Sequence, residues 1–217
     1  MKIKIIKVLV WGKHLLLRKN KFNSSNYWEE RYKKGGNSGS GSYGNLALYK
    51  AEVLNEFVED NNIKDVIEFG CGDGNQLRYY SFPKYIGFDV SDTAIEKCEL
   101  FFSFDNAKKF KNINDYNFEK AELTISVEVL FHLIEDNIYN EYMNRLFDSS
   151  LKYVIIFSSN KNDNSTPIHV KHRVFTEWVI ENKPSFKLIK IIKNKYGIEN
   201  DPNYSFSDFY IFKKFSN

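Results

Sequence analysis

The sequence predicts an α/β domain: a seven-stranded, mostly parallel sheet with an antiparallel last strand and helices on both faces. Three observations carry this. Short apolar runs alternate with segments of helical periodicity, the pattern of right-handed β-α-β crossovers. The first clear run passes directly into Gly70, Gly72 and Gly74, residues that let a backbone turn sharply at the end of a strand. Tyr153 to Phe157 (Tyr-Val-Ile-Ile-Phe) is wholly apolar, as a strand covered on both faces requires.

The elements follow in order. Leu46, Tyr49, Val53, Leu54, Phe57 and Val58 repeat at helical spacing, so a helix is expected over Leu46 to Asn61 with Asn45 as its cap. Lys64 to Phe69 reads as a buried strand turning into a helix at the glycines, and Lys84 to Val90 as a second strand, with Ser91 and Asp92 starting a helix to about Phe104. Lys108 to Asn112 and Ala121 to Val127 are the third and fourth strands, followed by a helix from about Glu135 to Phe147. After the Tyr153 strand come a helix at Thr176 to Asn182 and two strands, Phe186 to Lys193 and Ser207 to Lys213. No helix separates these last two, so they form an antiparallel pair at one edge.

A length of 217 residues suits one domain. Residues 46–217 are assigned to it, and 1–45 to a basic segment followed by a Gly/Ser-rich lid or linker at Gly35 to Gly44. The net charge of +3 is uneven. Met1 to Trp28 holds seven Lys/Arg and no acid, so the remainder carries about −4, which is +3 less that +7. Two cysteines are too few for a disulfide framework, and no apolar run is long enough to span a membrane. A cytoplasmic protein is expected, with weak membrane-surface contact of the basic segment left open and the oligomeric state undetermined.

Glu68-Phe-Gly70-Cys71-Gly72-Asp-Gly74 sits where a ligand would approach backbone closely. A dinucleotide fingerprint would need glycine at 75, where Asn75 stands, and no Gly-Lys-Ser/Thr follows, which disfavours NAD, FAD and P-loop phosphates. At these residues the chain resembles the class I methyltransferases dependent on S-adenosylmethionine (SAM), which share a Rossmann-like fold. The resemblance implies SAM as methyl donor, with S-adenosylhomocysteine (SAH) as product. Gly70, Gly72 and Gly74 would line its methionine part, beside Cys71 and Gln76, and Glu68 would order the loop or meet the amino group. Asp89 would accept both ribose hydroxyls, Val90 would flank the adenine, Glu128 and Val129 would border the donor, and Arg31 would pair with its carboxylate. For Asp89, helix capping is the competing reading; for Cys71, simple packing.

Acceptor chemistry is read from the carboxyl ends of the later strands, where ligands gather in such sheets. His132 is the candidate general base, with Glu128 orienting it, because a hydroxyl acceptor must lose a proton and imidazole titrates near neutrality. Tyr43, His169, His172 and Arg173 are the candidate acceptor-binding groups, the histidines also as catalytic candidates and Arg173 with Lys171 as holders of a phosphate or carboxylate. Trp28 and Tyr32, at i and i+4, read equally as a helix face on the core. No metal is expected, since His132, His169, His172 and Glu128 show no tight ligand spacing. The block from Gly39 to Ala51, with Glu128 to Asp136, is similar to a bacterial subgroup tied to surface polysaccharide loci, which implies a sugar, nucleotide-activated sugar or phosphorylated acceptor. Nucleic-acid methylation through the basic arm and a non-catalytic SAM-binding role are the alternatives.

Overall fold

The structure, a computed structural model, describes residues 22–163, 167–198, 201 and 203–215. The basic stretch before Phe22 lies outside them, as does any test of its role. Seven strands form one sheet: β1 (Val66–Phe69), β2 (Tyr85–Asp89), β3 (Lys108–Asn112), β4 (Ala121–Val127), β5 (Ser150–Ser158), β6 (Phe186–Ile192) and β7 (Asp208–Lys214). Their order is β3-β2-β1-β4-β5-β7-β6. Six strands run parallel, and β7 is antiparallel to both β5 and β6. The expected antiparallel edge pair is present, with β7 on the inside of it.

Five helices surround the sheet: α1 (Ser24–Lys33), α2 (Gly44–Asp60), α3 (Asp92–Phe101), α4 (Asp136–Asp148) and α5 (Phe175–Asn182). Alternation along β5 shows how the two layers form. Ile155 and Phe157 pack with Leu54 of α2 and Cys98 of α3, whereas Val154 and Ile156 pack with Met143 of α4 and Val179 of α5. All four strand residues are fully buried, each contributing about 1.5–3 kcal/mol relative to exposure.

The boundaries shift where local chemistry differs from periodicity. The α2 helix starts at Gly44, so Asn45 lies inside it and no side chain caps it. Ser91 does cap α3, its hydroxyl accepting from the Ala94 amide. The helix expected after the glycine loop is one 3₁₀ turn, Leu77–Tyr79. Leu77, Tyr80 and Phe82 all enter the core within a few residues and Pro83 follows, leaving no room for a longer helix.

The sheet order fixes where a ligand can sit. From β1 the chain moves outward through β2 and β3, then returns to place β4 and β5 on the other side. The loops leaving β1 and β4 therefore diverge, opening a crevice at their carboxyl ends.

Candidate active site

That crevice is a cleft of about 340 Å3. One wall is the glycine loop. Gly70, Gly72 and Gly74 all have positive φ, at 81°, 58° and 75°, a region costly for residues with a Cβ. Gly70 and Gly72 line the cleft, and a Cβ on Gly70 would lie 2.4 Å from Val129 Cγ2, so β1 and β4 loops close on each other only because that atom is missing. Gly74 is not in the wall; it packs under the loop against Cys98 and Phe102.

Asp89 ends β2 in the cleft wall and is buried. Its carboxylate accepts the Gly72 amide at 2.9 Å and the Ser91 amide at 3.0 Å, so it braces the glycine loop as well as facing the cleft. Burial raises its pKa to about 6 against those two amide bonds. Glu68, also in the wall, accepts the Tyr85 hydroxyl at 2.5 Å, and burial lifts it to about 7. Gln76 is buried in the same wall; its Nε2 donates to the Ala47 carbonyl and its Oε1 has no partner. Cys71 lines the cleft, and its thiol is pushed up, first by the hydrogen bond it donates to Cys98 and then by burial, which fits packing and not nucleophilic chemistry.

The roof is α1. Ser24 bonds the Glu135 carboxylate through amide and hydroxyl at 3.0 and 2.7 Å. Farther along, Glu29 accepts the Ser91 and Thr93 hydroxyls at 2.5 and 3.0 Å, and these with Lys33 hold its carboxyl down at about 2. So fixed, α1 turns Trp28 and Tyr32 onto the cleft. The Gly/Ser stretch, expected as a lid or linker, lines the side of the cleft through Ser38, Gly39, Ser40, Gly41 and Ser42. Ser38 exchanges bonds with Asp73, its amide donating at 3.0 Å while its hydroxyl accepts the Asp73 amide at 3.0 Å.

Glu128 sits just past β4 with φ 59°, a left-handed conformation rare for a residue with a side chain and a mark of a constrained site. Its carboxylate takes Lys50 Nζ at 2.8 Å and the Ser205 hydroxyl at 3.0 Å. Lys50 is 1% exposed. The pairing was legible in part, because Lys50 interrupts the buried stripe four residues from Leu46 and four from Leu54. Glu128 does not orient His132; these bonds commit it elsewhere.

His132 lines the cleft with its ring 4.9 Å from Trp28, edge to face. Its Nδ1 lies 3.1 Å from the His169 carbonyl, to which it donates, leaving Nε2 as the unprotonated nitrogen of the neutral ring. Burial lowers its pKa to about 4, far below the near-neutral titration that suggested it as a base, so the buried ring is a weaker base than the sequence implied.

Several expected groups stand outside the cleft wall. Arg31 donates from Nε to the Asn37 carbonyl at 2.6 Å, holding the Gly/Ser stretch instead of facing a donor carboxylate. Tyr43 donates to Asp73. The His169 ring stacks on Tyr27, and His172 is buried against the Ser159 hydroxyl at 2.6 Å. Arg173 does not await an anion: it donates to the Leu133 and Ile134 carbonyls and shares Asp136 with Lys171. Among the described residues no group of three or more His, Cys, Asp or Glu is placed to hold a metal, and no helix is long and apolar enough to cross a membrane. Phe206 and Tyr204, in the wall from the loop before β7, were missed because only the sheet order brings them there.

No protein-family model matches the sequence, and no curated protein matches it. Solved structures do. The N-methyltransferase NodS from Bradyrhizobium japonicum WM9, in complex with SAH, superposes with a TM-score of 0.67 at 11% identity, over 89% of this chain and 99% of that one. Magnesium protoporphyrin IX methyltransferase from Synechocystis PCC 6803 with bound SAH gives 0.62 at 11% identity, over 88% and 97%. The methyltransferase domain of bacterial CtHen1-C gives 0.62 at 20% identity, over 79% and 100%. At these identities the likeness is one of architecture, and the chain has the fold of the SAM-dependent methyltransferases that its glycine motif resembles.

Proposed function

We propose that the chain binds SAM in this cleft and transfers its methyl group to a hydroxyl of a small-molecule acceptor. The carrying observation is the convergence, at one sheet crevice, of the close-approach glycines, the buried Asp89 carboxylate and the unpartnered Gln76 Oε1. These residues fit the donor. Asp89 accepts ribose hydroxyls, Gln76 Oε1 and Glu68 face its cationic end, and Phe88, Val90 and Ile113 offer an apolar wall to a planar base. When bound, SAM supplies the methyl group: its carbon–sulfur bond breaks with the electron pair left on sulfur, giving SAH, as the acceptor oxygen forms the new bond. The acceptor's proton goes to His132 Nε2 and from there to water.

Calorimetric titration with SAM and SAH tests the donor site; micromolar binding of both supports it, and binding of neither to folded protein overturns it. Affinity for SAM rises as pH goes from 5 to 7.5. Glu68 and Asp89 hold protons more tightly folded than unfolded, so they favour folding in acid and lose that contribution as pH rises through about 6 and about 7. A cationic ligand prefers the ionised carboxylates, and ionising one group of this pKa range strengthens binding about tenfold over that interval. Asp89→Asn flattens the profile; an unchanged slope in that variant removes Asp89 as its source.

His132→Ala lowers kcat by about 100-fold or more, with SAH affinity held to within about twofold. Because the ring is neutral down to a pH of about 4, the wild-type rate shows no His132 inflection between pH 6 and 8. Near-normal turnover in the variant ends the base assignment. A phosphorylated or nucleotide-activated sugar, expected from the resemblance to polysaccharide-locus proteins, calls for cations facing the acceptor. Lys171 and Arg173 are tied to Asp136 and do not line the cleft, which favours an uncharged acceptor.

A further inference from the structure

The acceptor's chemistry is carried by the remaining cleft walls. Trp28, Phe131, Tyr204 and Phe206 line the cleft together with the His132 ring. Phe206 meets Phe131 edge to face at 5.0 Å, Phe131 meets His132 at 4.6 Å and His132 meets Trp28 at 4.9 Å, so these four rings form one connected surface. Tyr204 and Phe206 stay 41% and 38% exposed while lining the cleft. Open aromatic area inside a concave site is area a ligand covers.

Charge narrows the class. The charged residues among the described cleft walls are Glu68, Asp89 and Glu128, and Lys50 neutralises the last. Lys161, near the Phe206 ring, is paired with Asp163. An anionic acceptor would meet carboxylates and no unpaired cation. Beside the rings two serine hydroxyls are already committed, Ser24 to Glu135 and Ser205 to Glu128, while Ser25, Ser40 and Ser42 complete the serines of the wall with Ser38. A hexose stacked against the rings would turn hydroxyls toward aromatic faces, and each one left there without a partner carries a cost.

We infer that the acceptor is an uncharged, planar aromatic ring bearing a hydroxyl, stacked among Trp28, Phe131, Tyr204 and Phe206 with its hydroxyl toward His132. This rests on the methyltransferase reading, and its test separates the two. Calorimetry on the full chain compares 2-naphthol, 2-naphthyl phosphate, methyl glucoside and UDP-glucose, each with and without saturating SAH. The expected result is that 2-naphthol binds at least tenfold tighter than the other three, and that Phe206→Ala and Trp28→Phe each weaken it about tenfold while SAH affinity is unchanged. If SAH binds but the phosphate, the glycoside or UDP-glucose equals or exceeds 2-naphthol, the acceptor class is overturned and the donor site stands. If SAH fails to bind while 2-naphthol still binds through Phe206, the donor reading falls and the aromatic site survives as a binding site. Binding of 2-naphthol unaffected by both substitutions overturns the assignment of these walls.

Discussion

Asp89→Ala reduces SAH and SAM affinity by about 100-fold or more. In the proposed donor site the carboxylate would accept two ribose hydroxyls, and a hydrogen bond to a charged group is worth about 1.5–3 kcal/mol, so losing one pair of such bonds reaches that range. The substitution also frees the Gly72 and Ser91 amides, which the carboxylate holds at 2.9 and 3.0 Å. Asp89→Asn removes the charge and keeps one of the two backbone acceptances, since Oδ1 and Oδ2 each take a different amide and asparagine has a single oxygen. Calorimetry is expected to rank wild type above Asn above Ala, with thermal unfolding of the Asn variant between the other two. Equal affinity in all three would take the ribose role from Asp89 and leave it a brace for the glycine loop.

The second large effect is on stability. Lys50→Met leaves the Glu128 carboxylate without its ammonium, and breaking a buried pair from one side costs about 3–5 kcal/mol. The Glu128 side chain retains 17% exposure, which solvates part of the orphaned charge and places the expectation near the lower figure. At about 2–4 °C per kcal/mol for a chain of this size, the melting temperature falls by roughly 6–12 °C. Adding Glu128→Gln removes the stranded charge, so the double variant recovers much of the loss. A double variant as unstable as the sum of its parts would show that the pair is not coupled. The same variants bear on function, because the pair joins α2 to the strained Glu128 backbone beside Val129 in the cleft.

Much of the architecture was legible because it follows from periodicity. The apolar run at Tyr153 to Phe157 pointed to an interior strand, and Asp89 at the end of the second run could be placed beside the glycines from the strand pattern together with the resemblance to the methyltransferases. What the sequence did not reveal depends on tertiary partners. The 3₁₀ turn after Gly74 replaces a helix because Leu77, Tyr80 and Phe82 are needed in the core, a demand that local propensity does not register. Arg173 read as an anion site since a guanidinium's partner, here two carbonyls and Asp136, comes from a distant loop. Tyr204 and Phe206 reach the cleft only through the position of β7. Lys50 was the one missed residue with a visible signal, a cation in the middle of an apolar helical stripe.

The placement of β7 between β5 and β6 also sets a schedule for biosynthesis. Of the seven strands it is translated last, yet it pairs along β5 from Tyr153 to Ser158. A nascent chain that has made six strands therefore carries an apolar central strand with one edge open, a condition that invites chaperone capture or mispairing. The loop that brings Ser205 and Phe206 to the cleft is synthesised just before that strand, so the wall these residues form is available only to a chain made nearly to the end of β7.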